Sequence, residues 1–128
     1  SPEFVLTPNI VLIILQFRLR FKRLFYTNNL MEDKNILTKE QIQEELKNLD
    51  DWIYKNNSLE KQFQFFKFKD LIDFLKKIIE TMDEQNHHPD LVFDTKNKII
   101  KIKVTTHSEN AVTRADVEFA KKSEYLYK

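Results

Sequence analysis

Apolar residues recur with a helical period in three stretches of this chain. Between residues 37 and 51, Thr38 and Gln41 have the spacing of a capping box, and an apolar stripe follows them. Between residues 70 and 85 the helical period repeats around a polar face that carries Lys and Glu side chains. The third stretch begins at Thr113, where an acid three residues later completes a second capping box. The pattern therefore predicts three amphipathic helices.

Between the helical stretches, apolar and polar residues alternate, and this period predicts two pairs of β-strands. The first pair covers residues 52–55 and 59–67, joined through Asn-Asn-Ser at 56–58, where Asn tolerates the left-handed backbone that glycine usually supplies. The second pair covers residues 91–94 and 99–106. The order of elements predicts an α+β fold, a four-stranded antiparallel sheet with three helices packed on one face.

The N-terminal region differs in composition from the rest of the chain. Residues 1–4 are interpreted as a vector-derived scar. Residues 5–30 contain no acid, and Thr7-Pro8 followed by apolar residues at helical spacing predicts an extra amphipathic, basic helix. Its apolar run is too short to cross a bilayer. Three interpretations stay open: packing on its own domain or another copy, contact with a membrane surface or a targeting role, or no role. The functional domain is predicted at 31–128.

The composition excludes several classes of function. A chain of 128 residues has room for one domain, and it contains no glycine, which removes the Gly-rich phosphate loops of nucleotide-binding proteins. It contains no cysteine, which excludes disulfides, thiolate nucleophiles and Cys-ligated zinc. The net charge of +1 provides no field that would draw the molecule onto nucleic acid. Any chemistry must therefore come from histidines, carboxylates and hydroxyls.

The three histidines are the main candidates for chemistry. His87, His88 and His107 are close in sequence, each is predicted at the end of an element, and imidazole both donates and accepts protons near neutral pH. Asp83 lies one helical turn before His87 and either orients it or raises its pKa, or belongs only to the solvated face of the helix. Asp116 is either a second partner or only the capping-box acid. The alternatives for the histidines are an exposed loop pair, His87 with His88, and a metal site formed by Asp83, His87 and His107.

Several segments of the chain occur in a specific order. They are Leu49 with Trp52, the phenylalanine-rich segment from Glu60 to Asp70, His87-His88-Pro89-Asp90, Thr105-Thr106-His107 and Thr113-Arg114-Ala115-Asp116. Together they resemble the pterin-4a-carbinolamine dehydratase family, also known as the dimerisation cofactor of a homeodomain transcription factor. The resemblance covers residues 37–125.

This resemblance implies dehydration of 4a-hydroxytetrahydrobiopterin to quinonoid dihydropterin in tetrahydrobiopterin recycling, without metal or organic cofactor, in a homodimer or homotetramer. It implies that the three histidines are catalytic, with His87 and His107 as the expected acid/base pair and His88 mainly in binding. The expected substrate-binding residues are Asn86, Thr105, Thr106 and Ser108. The expected supporting residues are Asp83, Pro89 and Asp116.

A non-catalytic interaction module, of the transcriptional coactivator or dimerisation cofactor type, is the alternative function. Such a protein would bind a protein partner through its helices, and the fold alone does not decide between the two functions. Contact of the N-terminal helix with a membrane surface is a further alternative. The expected location is the cytoplasm, or an organelle if the basic N-terminal segment is a targeting element.

Overall fold

In a computed structural model, which describes residues 32–128, three helices accompany a four-stranded antiparallel sheet. The elements in chain order are α1 (Lys39–Leu46), β1 (Ile53–Lys55), β2 (Ser58–Gln64), α2 (Phe68–Gln85), β3 (Asp90–Asp94), β4 (Ile99–Val104) and α3 (Arg114–Tyr127). This order confirms the predicted α+β fold. The predicted N-terminal helix lies outside the described residues. Within them, no helix is long and apolar enough to cross a membrane.

The core lies between the helices and one face of the sheet, whose strand order is β1-β2-β4-β3. Leu59 pairs with Val104 and Phe63 with Ile100 across β2 and β4, and all four side chains are fully buried. The lysines of β4 alternate with them and lie on the other face. Full burial stabilises the fold by roughly 1.5–3 kcal/mol per large apolar side chain, so the alternation fixes which face carries the helices.

The capping box of α1 is confirmed. The backbone N–H of Gln41 donates to Thr38 Oγ1 at 3.1 Å, and the N–H of Thr38 donates to Gln41 Oε1 at 2.8 Å. The helix ends at Leu46 and does not continue to residue 51 as predicted. Leu49 is nevertheless buried, because the turn after the helix packs it on the core, and Asp51 then adopts a left-handed backbone that ends helical geometry.

Strand β2 is shorter than predicted. It ends at Gln64, not at residue 67, because Gln64 pairs with Ile99, the first residue of β4, and no strand residue lies opposite beyond it. Phe65 keeps one backbone hydrogen bond to the turn, from its N–H to Lys98 O at 2.9 Å. Pairing, more than the β-propensity of the phenylalanines, therefore sets the end of this strand.

Six residues in the described part of the chain adopt the left-handed backbone conformation, and none of them is glycine. These positions are Asp51, Asn56, Asn57, Asn86, Lys98 and Asn110. Asn56 and Asn57, with φ of 51° and 60°, form the turn of the predicted hairpin, which is one residue shorter than expected because Ser58 already belongs to β2. Asn and Asp tolerate this region because their short polar side chains bond locally, whereas Lys has no such compensation. Lys98 is therefore the most strained of the six positions.

Replacing Lys98 by glycine is expected to stabilise the domain. A left-handed backbone destabilises the folded state by roughly 1–2 kcal/mol when the residue has a Cβ, and glycine removes this cost. Glycine also gives the unfolded chain more conformational freedom, which offsets about 0.4–1 kcal/mol of the gain. The net gain should be about 0.5–1 kcal/mol, seen as a higher urea midpoint with an unchanged slope. Lys96→Gly, in the same turn but without positive φ, is the control and should show no gain. Equal gains in both variants would contradict the explanation.

Candidate active site

The end of α2 directs His87 into the interior of the domain. Asn86 caps the helix in the left-handed conformation, with φ of 48° and ψ of 41°. The backbone N–H of His87 then donates to Met82 O at 3.1 Å, a bond that reverses the direction of the chain. As a result His87 is only 3% exposed, although it lies beside the exposed His88.

The imidazole of His87 lies between two carboxylates. Its Nδ1 is 2.7 Å from Glu32 Oε1, and its Nε2 is 2.6 Å from Asp116 Oδ1. While both carboxylates are ionised they can only accept these bonds, so each ring nitrogen then donates a proton and the ring is an imidazolium. The ring also lies against Phe119, with 6.1 Å between the ring centroids. His87 is therefore a buried cation paired on both sides.

The pKa of His87 reflects the balance between burial and this pairing. Burial lowers the pKa, because a charged ring loses its hydration. The hydrogen bonds from the ring to Asp116 and Glu32, together with the charges of these carboxylates, raise it by more than burial lowers it. The pKa of His87 therefore lies above its ordinary value of 6.5.

Asp116 serves the helix and the histidine at once. It is completely buried at the first turn of α3, and its Oδ2 accepts the backbone N–H of Thr113 at 2.8 Å, which confirms the predicted capping box. The same oxygen accepts the hydroxyl of Thr106 at 2.9 Å. The other oxygen holds His87. A buried carboxylate needs such donors, because an unpaired buried charge is very costly.

A pocket of about 180 Å³ opens beside these groups. It is lined by Glu32, Lys34, His87, His88, Thr105, Thr106, His107 and Ser108. The side chains of His88 and His107 are exposed there, and neither has a hydrogen-bond or ion-pair partner within residues 32–128. Two larger clefts, of about 450 and 430 Å³, contain no histidine. The small pocket is the candidate active site because its lining contains all three histidines, although the other two clefts are larger.

Asp83 and Asn86 lie outside this pocket lining. The expectation that Asp83 orients His87 is corrected, because its side chain is exposed and has no partner among the described residues. The i, i+4 spacing holds only inside a helix, and α2 ends at Gln85, before His87. Asn86 is exposed and its left-handed cap geometry explains the residue type, while Pro89 is buried and also lies outside the pocket lining.

Glu32 and Lys34 were not predicted as site residues from the sequence. Glu32 is 55 positions from His87, and Lys34 Nζ lies 3.7 Å from the second oxygen of Glu32. Backbone bonds hold this segment along the start of α3: the N–H of Ala115 donates to Asp33 O at 2.9 Å. Neither periodicity nor a motif marks such a contact, because it depends on tertiary packing alone.

No metal site is assembled from the residues considered above. In the part of the chain that the structure describes, no group of three or more His, Asp or Glu side chains has an arrangement suited to a metal ion. A metal held by Asp83, His87 and His107 would have to displace a carboxylate from His87, because both of its ring nitrogens are already hydrogen-bonded. The arrangement instead offers two solvent-accessible imidazoles and one buried imidazolium around a common space.

Comparison with known proteins connects this arrangement to a family. Residues 35–126 match the family described as pterin 4 alpha carbinolamine dehydratase. A protein of Sulfurisphaera tokodaii named "Putative pterin-4-alpha-carbinolamine dehydratase" is 42% identical over 90 residues, which cover 70% of this chain and 95% of the relative. A relative of the same name from Aquifex aeolicus is 33% identical over 92 residues, covering 72% of this chain and 91% of its own length.

Solved structures agree with this relationship. The crystal structure of a transcriptional coactivator/pterin dehydratase from Brucella melitensis superposes with a TM-score of 0.68 at 26% identity, covering 73% of this chain and all of that one. A pterin dehydratase-like RuBisCO assembly factor of the alpha-carboxysome shares the fold, with a TM-score of 0.50 at 22% identity over 59% of this chain and 86% of that chain. The family match extends from before α1 almost to the end of α3, and so this chain belongs to the pterin-4a-carbinolamine dehydratase family.

Proposed function

We propose that this chain dehydrates 4a-hydroxytetrahydrobiopterin to quinonoid dihydropterin and water, as a step of tetrahydrobiopterin recycling. The observation that carries the proposal is the meeting of all three histidines in one pocket of a chain that belongs to this family. The reaction breaks the bond between C4a and the hydroxyl oxygen and forms a double bond between C4a and N5. It therefore needs an acid for the leaving oxygen and a base for the N5 proton, each typically worth about 10²- to 10⁴-fold in rate.

The exposure and the hydrogen bonds of the three histidines support a different role for each of them. His107 is exposed and has no partner in residues 32–128, so it is the proposed base for the N5 proton. His87 lies between two carboxylates, an environment that favours its protonated form, and is the proposed source of the acid proton. The exposed His88 lines the same pocket and is proposed to bind the pterin by hydrogen bonds. The cytoplasm remains our proposal for the location of the protein.

A second candidate function is protein binding. It is favoured by one observation, the similarity to a transcriptional coactivator/pterin dehydratase at 26% identity. Both functions can belong to one fold, because catalysis uses the pocket whereas partner binding uses the outer surface. A purified chain that dehydrates the pterin no faster than buffer would leave protein binding as the better proposal.

Substitution of the proposed acid and base tests the dehydratase activity. We expect His87→Ala and His107→Ala each to lower kcat/KM by about 10²- to 10⁴-fold, because each removes one proton transfer. The measurement follows the ultraviolet absorbance of chemically generated 4a-hydroxytetrahydropterin. Asp83→Asn is the matched control, because Asp83 is exposed and lies outside the pocket lining, and its rate should equal that of the wild type. A histidine variant as fast as this control would refute the role of that histidine.

The charge of His87 predicts how stability depends on pH. Its pKa is raised in the folded state, so its stabilising contribution is complete below the unfolded value of about 6.5 and is lost as the pH rises through the folded pKa. The difference in free energy of unfolding between the wild type and His87→Gln should therefore shrink as the pH rises above about 6.5. Urea unfolding over this range measures it, and His107→Gln should retain the slope of the wild type. A difference that grows with pH would contradict the pairing.

A further inference from the structure

We propose that Glu32 is a further catalytic residue, which carries protons between the buried His87 and the pocket. The inference rests on the proposed dehydratase activity and extends it to a residue that precedes the family match at 35–126. His87 cannot give a proton to a substrate directly. The side chain of His87 is 4% exposed, and both of its ring nitrogens already donate to carboxylates.

A proton can leave His87 only through one of its two hydrogen-bond partners. Asp116 is completely buried, does not line the pocket, and uses its second oxygen for Thr113 and Thr106. Glu32 lines the pocket, and its side chain is 15% exposed. Among the described residues, Glu32 is therefore the only hydrogen-bonded link between His87 and the space where a substrate can lie.

The proton transfers through Glu32 balance. A proton moves from Nδ1 of His87 to Glu32, which gives it to the 4a-oxygen as the bond between C4a and oxygen breaks and water leaves with the bonding electrons. The N5 electron pair forms the double bond to C4a, and the N5 proton passes to His107. One proton has then moved from His87 to His107. His107 is exposed and loses it to solvent, while Glu32 returns a solvent proton to His87.

The surroundings of Glu32 suit this role. One oxygen bonds to His87 at 2.7 Å, while the other lies 3.7 Å from the ammonium group of Lys34 at the pocket. The charged groups that face His87 are Glu32 and Asp116, and those that face Glu32 are His87 and Lys34. Proton exchange between a carboxylate and an imidazole at this distance needs no movement of the backbone, which is fixed beside α3.

Glu32→Gln separates proton transfer from positioning. The amide oxygen of glutamine can still accept the Nδ1 proton of His87, so the ring stays in place, but the amide cannot carry a proton onward. We expect kcat to fall by about 10²- to 10⁴-fold and KM to change by less than about 3-fold. Glu32→Asp retains a carboxylate and should recover part of the rate. Asp33→Asn is the control and should keep full activity, because the exposed Asp33 side chain accepts a hydrogen bond from the backbone N–H of Asn35 and lies outside the pocket lining.

The pH–rate profile provides a second readout. In the wild type kcat should fall as the pH rises through the raised pKa of His87, and in Glu32→Gln the remaining rate should lose this dependence. A kcat of Glu32→Gln within about 3-fold of the wild type would overturn the proposal, and so would a Glu32→Asp variant that folds but is no faster than Glu32→Gln. A wild type no faster than buffer would instead refute the dehydratase activity, and the role of Glu32 would fall with it.

Discussion

The imidazolium of His87 and its two carboxylates tie together three parts of the chain that are far apart in sequence. Asp116 belongs to the first turn of α3, His87 follows the end of α2, and Glu32 precedes α1. The ring of His87 is satisfied only while both carboxylates stay in place. Removing one partner from a buried ion pair typically costs about 3–5 kcal/mol, because it leaves an uncompensated charge. The same network that can deliver a proton thus helps to hold the helices around the pocket.

Asp116 shows how closely the site and the fold depend on each other. One carboxylate caps α3, accepts the hydroxyl of Thr106, two residues after the end of β4, and fixes the ring of His87. A change at this position would disturb the helix start, the strand end and the histidine together. The pocket therefore rests on rigid elements of the domain, which is what acid/base chemistry requires of its side chains.

Local signals predicted most of the fold. The capping boxes at Thr38 and Thr113, the paired asparagines of the first hairpin and the alternation along β4 all act over a few residues, and a single sequence contains them in full. The clustering of histidines likewise pointed to the pocket. What could not be predicted depends on tertiary packing: the early end of α1, the burial of His87, and above all the contact between Glu32 and His87. Asp83 was a reasonable expectation from helical spacing, and it failed because the helix stops before the histidine.

The two carboxylates around His87 favour a buried imidazolium with a proton on each nitrogen. Nitrogen-15 NMR of the histidine side chains at about pH 7 tests it directly, because protonated and unprotonated ring nitrogens have well-separated chemical shifts. Both nitrogens of His87 are expected to be protonated at this pH. A His87 ring with one unprotonated nitrogen at about pH 7 would show instead that it is not a cation held between two carboxylates.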